Sequence, residues 1–116
     1  MISAEQIREI LSLYRRHGWQ LRRVLLTPPL QEALALDNQT LFGTTEISKA
    51  EIDACWFSRP SQADREAWEL RLLSDAPFAL LEIFESDDDE EIREEARAEI
   101  ERQLKKTAGK QINRRQ

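Results

Sequence analysis

The amino-acid sequence predicts one α+β domain, a mostly antiparallel sheet of about four strands with an amphipathic N-terminal helix and a charged C-terminal helix. Three observations carry that prediction. Trp68, Leu70 and Leu72 alternate with Ala67, Glu69 and Arg71, the period of two of a half-buried strand. After the turn residues Ser74-Asp75-Ala76-Pro77, residues 78–84 resume the strand with apolar side chains on both faces, which predicts a central, covered position. Ile7, Ile10, Leu11 and Tyr14 recur at helical spacing opposite Glu5, Arg8, Glu9 and Ser12. Beyond residue 86, Ile92, Ala96, Ile100 and Leu104 repeat every fourth position in an otherwise charged or small-residue segment.

In chain order, Ser3 with Gln6 makes a capping box, so the first helix spans residues 4–17 and stops at Gly18. Trp19 to Leu26 reads as a strand. Thr27 is placed to cap a short helix beginning at Pro28, with Leu30, Ala33 and Leu34 on one face and Asp37-Asn38 at its end. The polar stretch 37–48, containing Gly43, reads as a loop. Residues 48–58 carry conflicting signals. Ser48 with Glu51, and Ile47 with Ile52, encourage a helix start, whereas Ile52, Ala54 and Trp56 alternate as in a strand. The reading adopted is a turn of helix or a tight turn at 48–51 and a strand from Ile52 to Ser58. Strands 52–58, 66–73 and 78–85 then form a meander. Ser86 or Asp87 caps a long helix reaching about Lys106. Its narrow apolar stripe predicts a position along the sheet edge or against a partner helix, and Glu101 and Lys105 form a favourable i,i+4 pair. The domain therefore covers 1–106, and 107–116 is expected to be a basic, flexible tail.

Composition bounds the function. The chain has 116 residues, 41% hydrophobic and 34% charged, with a net charge of −5. That is enough for a single core, with no apolar run of the ~20 residues that span a bilayer. The single cysteine, Cys55, allows no intrachain disulfide, and the first residues lack a secretory pattern, so a cytoplasmic location is expected. Charge is unevenly placed: residues 85–101 carry 10 acids against Arg93 and Arg97, whereas 102–116 carry six bases and no acid. Acids at a helix start and bases at its end complement the helix dipole.

No familiar catalytic constellation is present. The lone His17 sits among basic residues at a helix end, where a cation is favoured. Cys55 lies in an apolar strand without an adjacent base, and reads as a buried structural thiol. Three glycines are too few for a phosphate loop or dinucleotide fingerprint, and the His and Cys content does not support a zinc site. Residues 87–91 lack the glycine and glutamate spacing of a calcium loop and read as an acidic first helical turn. No metal or cofactor is expected. Glu82 shares a strand face with Phe78, Leu80 and Phe84, so it needs a partner such as Arg71, Arg22 or Arg23, or a functional role.

Helix 4–17, Gly18-Trp19, Glu51-Ile52-Asp53 and Leu81-Glu82-Ile83 together resemble the core of the restriction-endonuclease-like nucleases. The resemblance implies Asp53 and Glu82 as ligands of a divalent metal that activates water. Phe84 stands where that family carries a lysine, and an extra strand separates Asp53 from Glu82, so the implied site lacks its base.

Two binding surfaces remain. The cluster Arg15, Arg16, His17, Trp19, Arg22 and Arg23 combines cations with an aromatic, as nucleic-acid contacts do, although the acidic chain as a whole disfavours a polyanion. Trp19, Trp56, Trp68 and the stripe Ile92, Ala96, Ile100, Leu104 are candidate anchors for another protein or a second copy. The expected function is non-enzymatic: binding a protein partner, or self-association. The metal-dependent hydrolase and nucleic-acid binding stand as alternatives.

Overall fold

A computed structural model describes residues 1–114, with side-chain surroundings up to Gly109. The chain runs through helix α1 (Ala4–Arg16), strand β1 (Gln20–Leu26), helices α2 (Pro28–Ala33) and α3 (Asn38–Phe42), and strands β2 (Ile47–Lys49) and β3 (Ala54–Pro60). A 3-10 turn then leads into β4 (Glu66–Leu72), β5 (Ala79–Phe84) and helix α4 (Glu90–Arg114). The architecture is the α+β domain expected, with five strands in the order β2-β1-β3-β4-β5. All neighbours are antiparallel except β1 and β2, which are parallel. The β3-β4-β5 meander matches the expectation.

Local chemistry explains the ends of α1. The Ser3 hydroxyl accepts from the Gln6 N–H at 3.1 Å while the Ser3 N–H donates to Gln6 Oε1 at 2.9 Å. The helix closes on His17, and Gly18 follows at φ +84°, a conformation that glycine adopts without a Cβ clash. Thr27 precedes α2 without a side-chain cap bond. Its N–H and hydroxyl instead donate to Asp53 Oδ1 at 2.7 and 2.9 Å, tying the end of β1 to the start of β3.

The sheet separates two cores. On one face α1, α2 and α3 cover Val24, Leu26, Cys55 and Phe57 with Ile7, Leu11, Leu30, Leu34 and Phe42. On the other, α4 lays Ile100 and Leu104 onto Trp56, Trp68, Leu70 and Phe84. Sheet pairing alone cannot supply this stability; most comes from apolar area removed from water on both faces.

Several local expectations are corrected. The segment read as a loop at 37–48 contains α3, and the turn expected at 48–51 begins inside β2. Ser48 lies opposite Leu25 in the parallel ladder, and no helix follows it over residues 50–53. The third strand starts at Ala54 rather than Ile52. β5 is an edge strand, not a central one. The central position belongs to β3, whose residues 54–58 are all buried, because helices cover it on both sides. The start of α4 moves from residue 86 or 87 to Glu90: Asp88 Oδ2 first accepts from the Glu85 N–H at 2.8 Å, and Asp89 Oδ1 then accepts from the Glu91 N–H at 3.2 Å. The helix continues past Lys106 to Arg114. Side chains after Gly109, and Arg115 and Gln116 entirely, lie outside the described residues, and much of the expected tail falls there.

Candidate functional site

The implied hydrolytic pair does not converge. Asp53 precedes Ala54, which pairs with Leu72, whereas Glu82 pairs with Trp68, itself opposite Ser58. Two strand spacings and five residues of rise therefore separate the carboxylates by roughly 19 Å, too far to share one ion. Asp53 is occupied as the acceptor of Thr27. Among the described residues no group of three or more His, Cys, Asp or Glu side chains is arranged to hold a metal. Glu82 is half-buried on the face shared with Trp68 and Phe84, and among the described residues its carboxylate takes no hydrogen bond or ion pair. The partner expected from Arg71 is absent because Arg71 pairs with Ala79 and points to the opposite face, where it donates to the Leu72 carbonyl. Cys55 is fully buried, and burial pushes its thiol up to about 12, away from nucleophilic use at neutral pH.

The tryptophans and the C-terminal stripe serve mostly as core. Trp56 and Trp68 are 0% and 5% exposed and meet edge to face with centroids 6.0 Å apart, so both pack inside the fold. Trp19 is half-buried under the Arg59 guanidinium, 4.4 Å from the ring centroid. Ile100 and Leu104 are buried on the sheet and Ala96 is partly buried against it, while Ile92 is 59% exposed. The inward face of α4 passes through Arg93 and Arg97 in its early turns rather than through Ile92. The Glu101–Lys105 pairing is also replaced: Glu101 accepts from Trp56 Nε1 at 2.9 Å, and Lys105 pairs with Glu51.

Those two arginines build a site that the sequence reading did not assemble. Between Leu21, opposite Phe57, and Arg23, opposite Trp56, the β1–β3 register slips by one residue. Arg22 is the extra residue of this bulge. A regular strand would send Arg22 and Arg23 to opposite faces; the bulge turns both toward α4. Arg22 stands over the Trp68 ring at 5.5 Å and Arg97 over the same ring at 4.0 Å. Arg93 lies over Phe84 at 5.2 Å. Arg97 is 2% exposed and donates through Nη1 to Glu90 at 2.7 Å and Glu94 at 3.1 Å. Arg23 grips Glu94 with both terminal nitrogens, at 2.9 and 2.7 Å.

These contacts set a pH response. The hydrogen bond from Arg23 holds the Glu94 carboxyl below its usual range, and that from Arg97 does the same for Glu90. A depressed carboxylate adds stability above its unfolded pKa and loses it as pH falls through the lower folded value. Stability should therefore decline below about pH 4.3, the ordinary glutamate value. Both side chains are more than half exposed, so solvent screens the contribution and the decline is shallow. Arg23→Gln should flatten part of it, as read from urea midpoints measured across that pH window.

The second unassigned surface is the outer half of the sheet. Leu72 N–H donates to the Phe78 carbonyl, so by antiparallel alternation Leu80, Glu82 and Phe84 also turn their backbone groups to β4. Ala79, Leu81 and Ile83 turn theirs outward. Their side chains lie on the α1 side of the sheet, where Leu81 is 57% and Ile83 40% exposed. Leu13, 47% exposed, is two helical turns from Gln6, which reaches across to Asp75 at 2.9 Å. Leu13 therefore overhangs the same side of α1. Tyr14 closes the inner margin by donating to Glu69, and burial followed by that bond raises its pKa.

No family model matches the chain, and no curated protein or solved structure is significantly similar to it.

Proposed function

We propose that this protein is a non-enzymatic binding module that takes a strand of a partner protein along β5. The observation that carries this reading is the coincidence, at Ala79, Leu81 and Ile83, of outward backbone donors and acceptors with exposed apolar side chains. An added strand would satisfy the backbone groups and bury the apolar row together, the mode in which ladder hydrogen bonds give affinity and alternate side chains give specificity. The docking window is bounded. Pro77 precedes it and has no N–H to offer, and Asp88 already occupies the Glu85 N–H at its other end. Glu82 faces the α4 side within the window, where an apolar neighbour strand would desolvate an unpaired carboxylate. That charge blunts indiscriminate sheet extension and selects a partner with a basic residue beside it.

The test is a low-salt pull-down with the wild-type chain and with the double variant Leu81→Lys/Ile83→Lys, each with and without nuclease. A protein retained by the wild type after nuclease treatment, and lost by a variant that keeps its circular dichroism and sedimentation, supports the reading. Equal retention by both chains would remove β5 as the site. Loss of all bound material on nuclease treatment would transfer the function to the Arg22/Arg23 surface. An empty wild-type bait that sediments as a monomer would rule out both partner binding and self-association.

A further inference from the structure

We propose that the concavity between the β1 bulge and the first turns of α4 is an oxyanion site, and that it takes a phosphate-type tetrahedral dianion on Arg22, Arg93 and Arg97. The concavity has a volume of about 440 Å³. Its wall carries four guanidinium groups, Arg22, Arg23, Arg93 and Arg97, against the two carboxylates Glu66 and Glu90. Glu94, at the margin, accepts from Arg23 and Arg97, so four guanidinium groups face three carboxylates there, a local positive excess in a chain whose net charge is −5. The carboxylates are already engaged. Glu66 accepts from Trp68 Nε1 and from Arg93 Nη1, the latter at 3.3 Å, and Glu90 accepts from Arg97.

The donors are not exhausted by these contacts. Arg97 Nε is buried without an acceptor, and among the described residues no protein group accepts from its Nη2. Arg93 donates through Nη1 to Glu66 and through Nη2 to the Glu85 carbonyl at 2.6 Å, yet its Nε is likewise buried and unmet. Such groups are rare in folded proteins, and where they occur one reason is that they serve a bound ion or ligand. Arg22, the exposed one, makes no hydrogen bond or ion pair among the described residues. The bulge that turns it toward α4 is the kind of irregularity that re-aims a side chain at a site.

The arrangement favours a tetrahedral over a planar anion. A carboxylate is satisfied by a single guanidinium fork, and Glu94 already fills that role on Arg23. Arg22 comes from the strand, Arg93 and Arg97 from the helix, so their unmet N–H groups approach from two directions and suit oxygens that diverge in space. Small adjustments of the stacked guanidinium planes would bring the unmet N–H groups to the ligand while Trp68 and Phe84 hold their positions.

The experiment is a titration of the full chain with inorganic phosphate at fixed low ionic strength, followed through the Trp68 indole and arginine Nε–H resonances. Saturable shifts confined to Trp68, Arg22, Arg93 and Arg97 are expected. Arg22→Gln removes no hydrogen bond or ion pair of the fold, only the guanidinium's place over Trp68, and should weaken the affinity about tenfold, the loss of one charge-assisted pair, while Arg22→Lys should recover part of it. Arg8→Gln, remote on α1, should change nothing. Phosphoserine in place of inorganic phosphate distinguishes a phosphoryl group on a side chain from the free ion, and tighter binding of either supports the site. Non-saturable shifts, an unchanged affinity in Arg22→Gln, or equal shifts with acetate would overturn the proposal.

Discussion

Trp56→Ala should lower the unfolding free energy by about 3–5 kcal/mol, a large part of the 5–15 kcal/mol typical of a domain. Trp56 is fully buried on the central strand β3, where Leu70 lies opposite it on one side and Arg23 on the other. Its ring meets Trp68 edge to face, and its indole N–H donates to Glu101 of α4. Truncation would therefore open a cavity between sheet and helix and free the α4 carboxylate that fixes the helix rotation. Trp56→Phe should cost much less, about 1–2 kcal/mol, because a ring remains and chiefly the N–H bond is lost. Urea denaturation with an unchanged m-value is the measurement. A loss under about 1 kcal/mol for the alanine variant would contradict the packing of α4 on this face.

The sequence made legible those elements whose local signals and tertiary demands agree. The Ser3–Gln6 capping box, the α1 apolar face and the β3-β4-β5 meander all appear as read. β2 was not legible, because its three residues have no periodicity of their own and become a strand only by pairing with β1. The burial of β5 was overestimated for a related reason. Apolar residues on both faces of Ala79–Phe84 match a central strand, but whether a second face is covered depends on where α1 lies, and it reaches β1 and β3 rather than β5. Of the candidate sites, Arg22 was read as a cation beside Trp19, whereas its guanidinium lies over Trp68. The true neighbour, Trp68, is brought there by a register slip that no local pattern announces. Arg97 entered the sequence reading only as one of two bases in the acidic segment 85–101. The planar guanidinium and aliphatic stem nonetheless pack as core when an indole lies beneath and carboxylates wait at the rim.

Arg97 separates packing from charge, and its two substitutions should diverge. Arg97→Ala should destabilise by about 2–3 kcal/mol, removing the cover over Trp68 and Phe84 and leaving a void beside two buried rings. The lost ion pairs add little to that figure. Glu90, 71% exposed, returns to water, and Glu94, 54% exposed, keeps Arg23, so neither becomes a stranded buried charge. Arg97→Met fills a similar volume, keeps contact with the indole and abolishes the unmet Nε–H. Its stability should lie within about 1 kcal/mol of the wild type. Urea melts of the two variants at low and high salt are the check. If Met and Ala cost the same and both losses shrink in salt, the ion pairs rather than the guanidinium's packing hold α4 to the sheet. With the expected divergence, Arg97→Met becomes a folded chain with a disabled oxyanion site, in which the phosphate response should vanish while the fold persists. Arginine would then be kept at this buried position for what it binds rather than for the stability it adds.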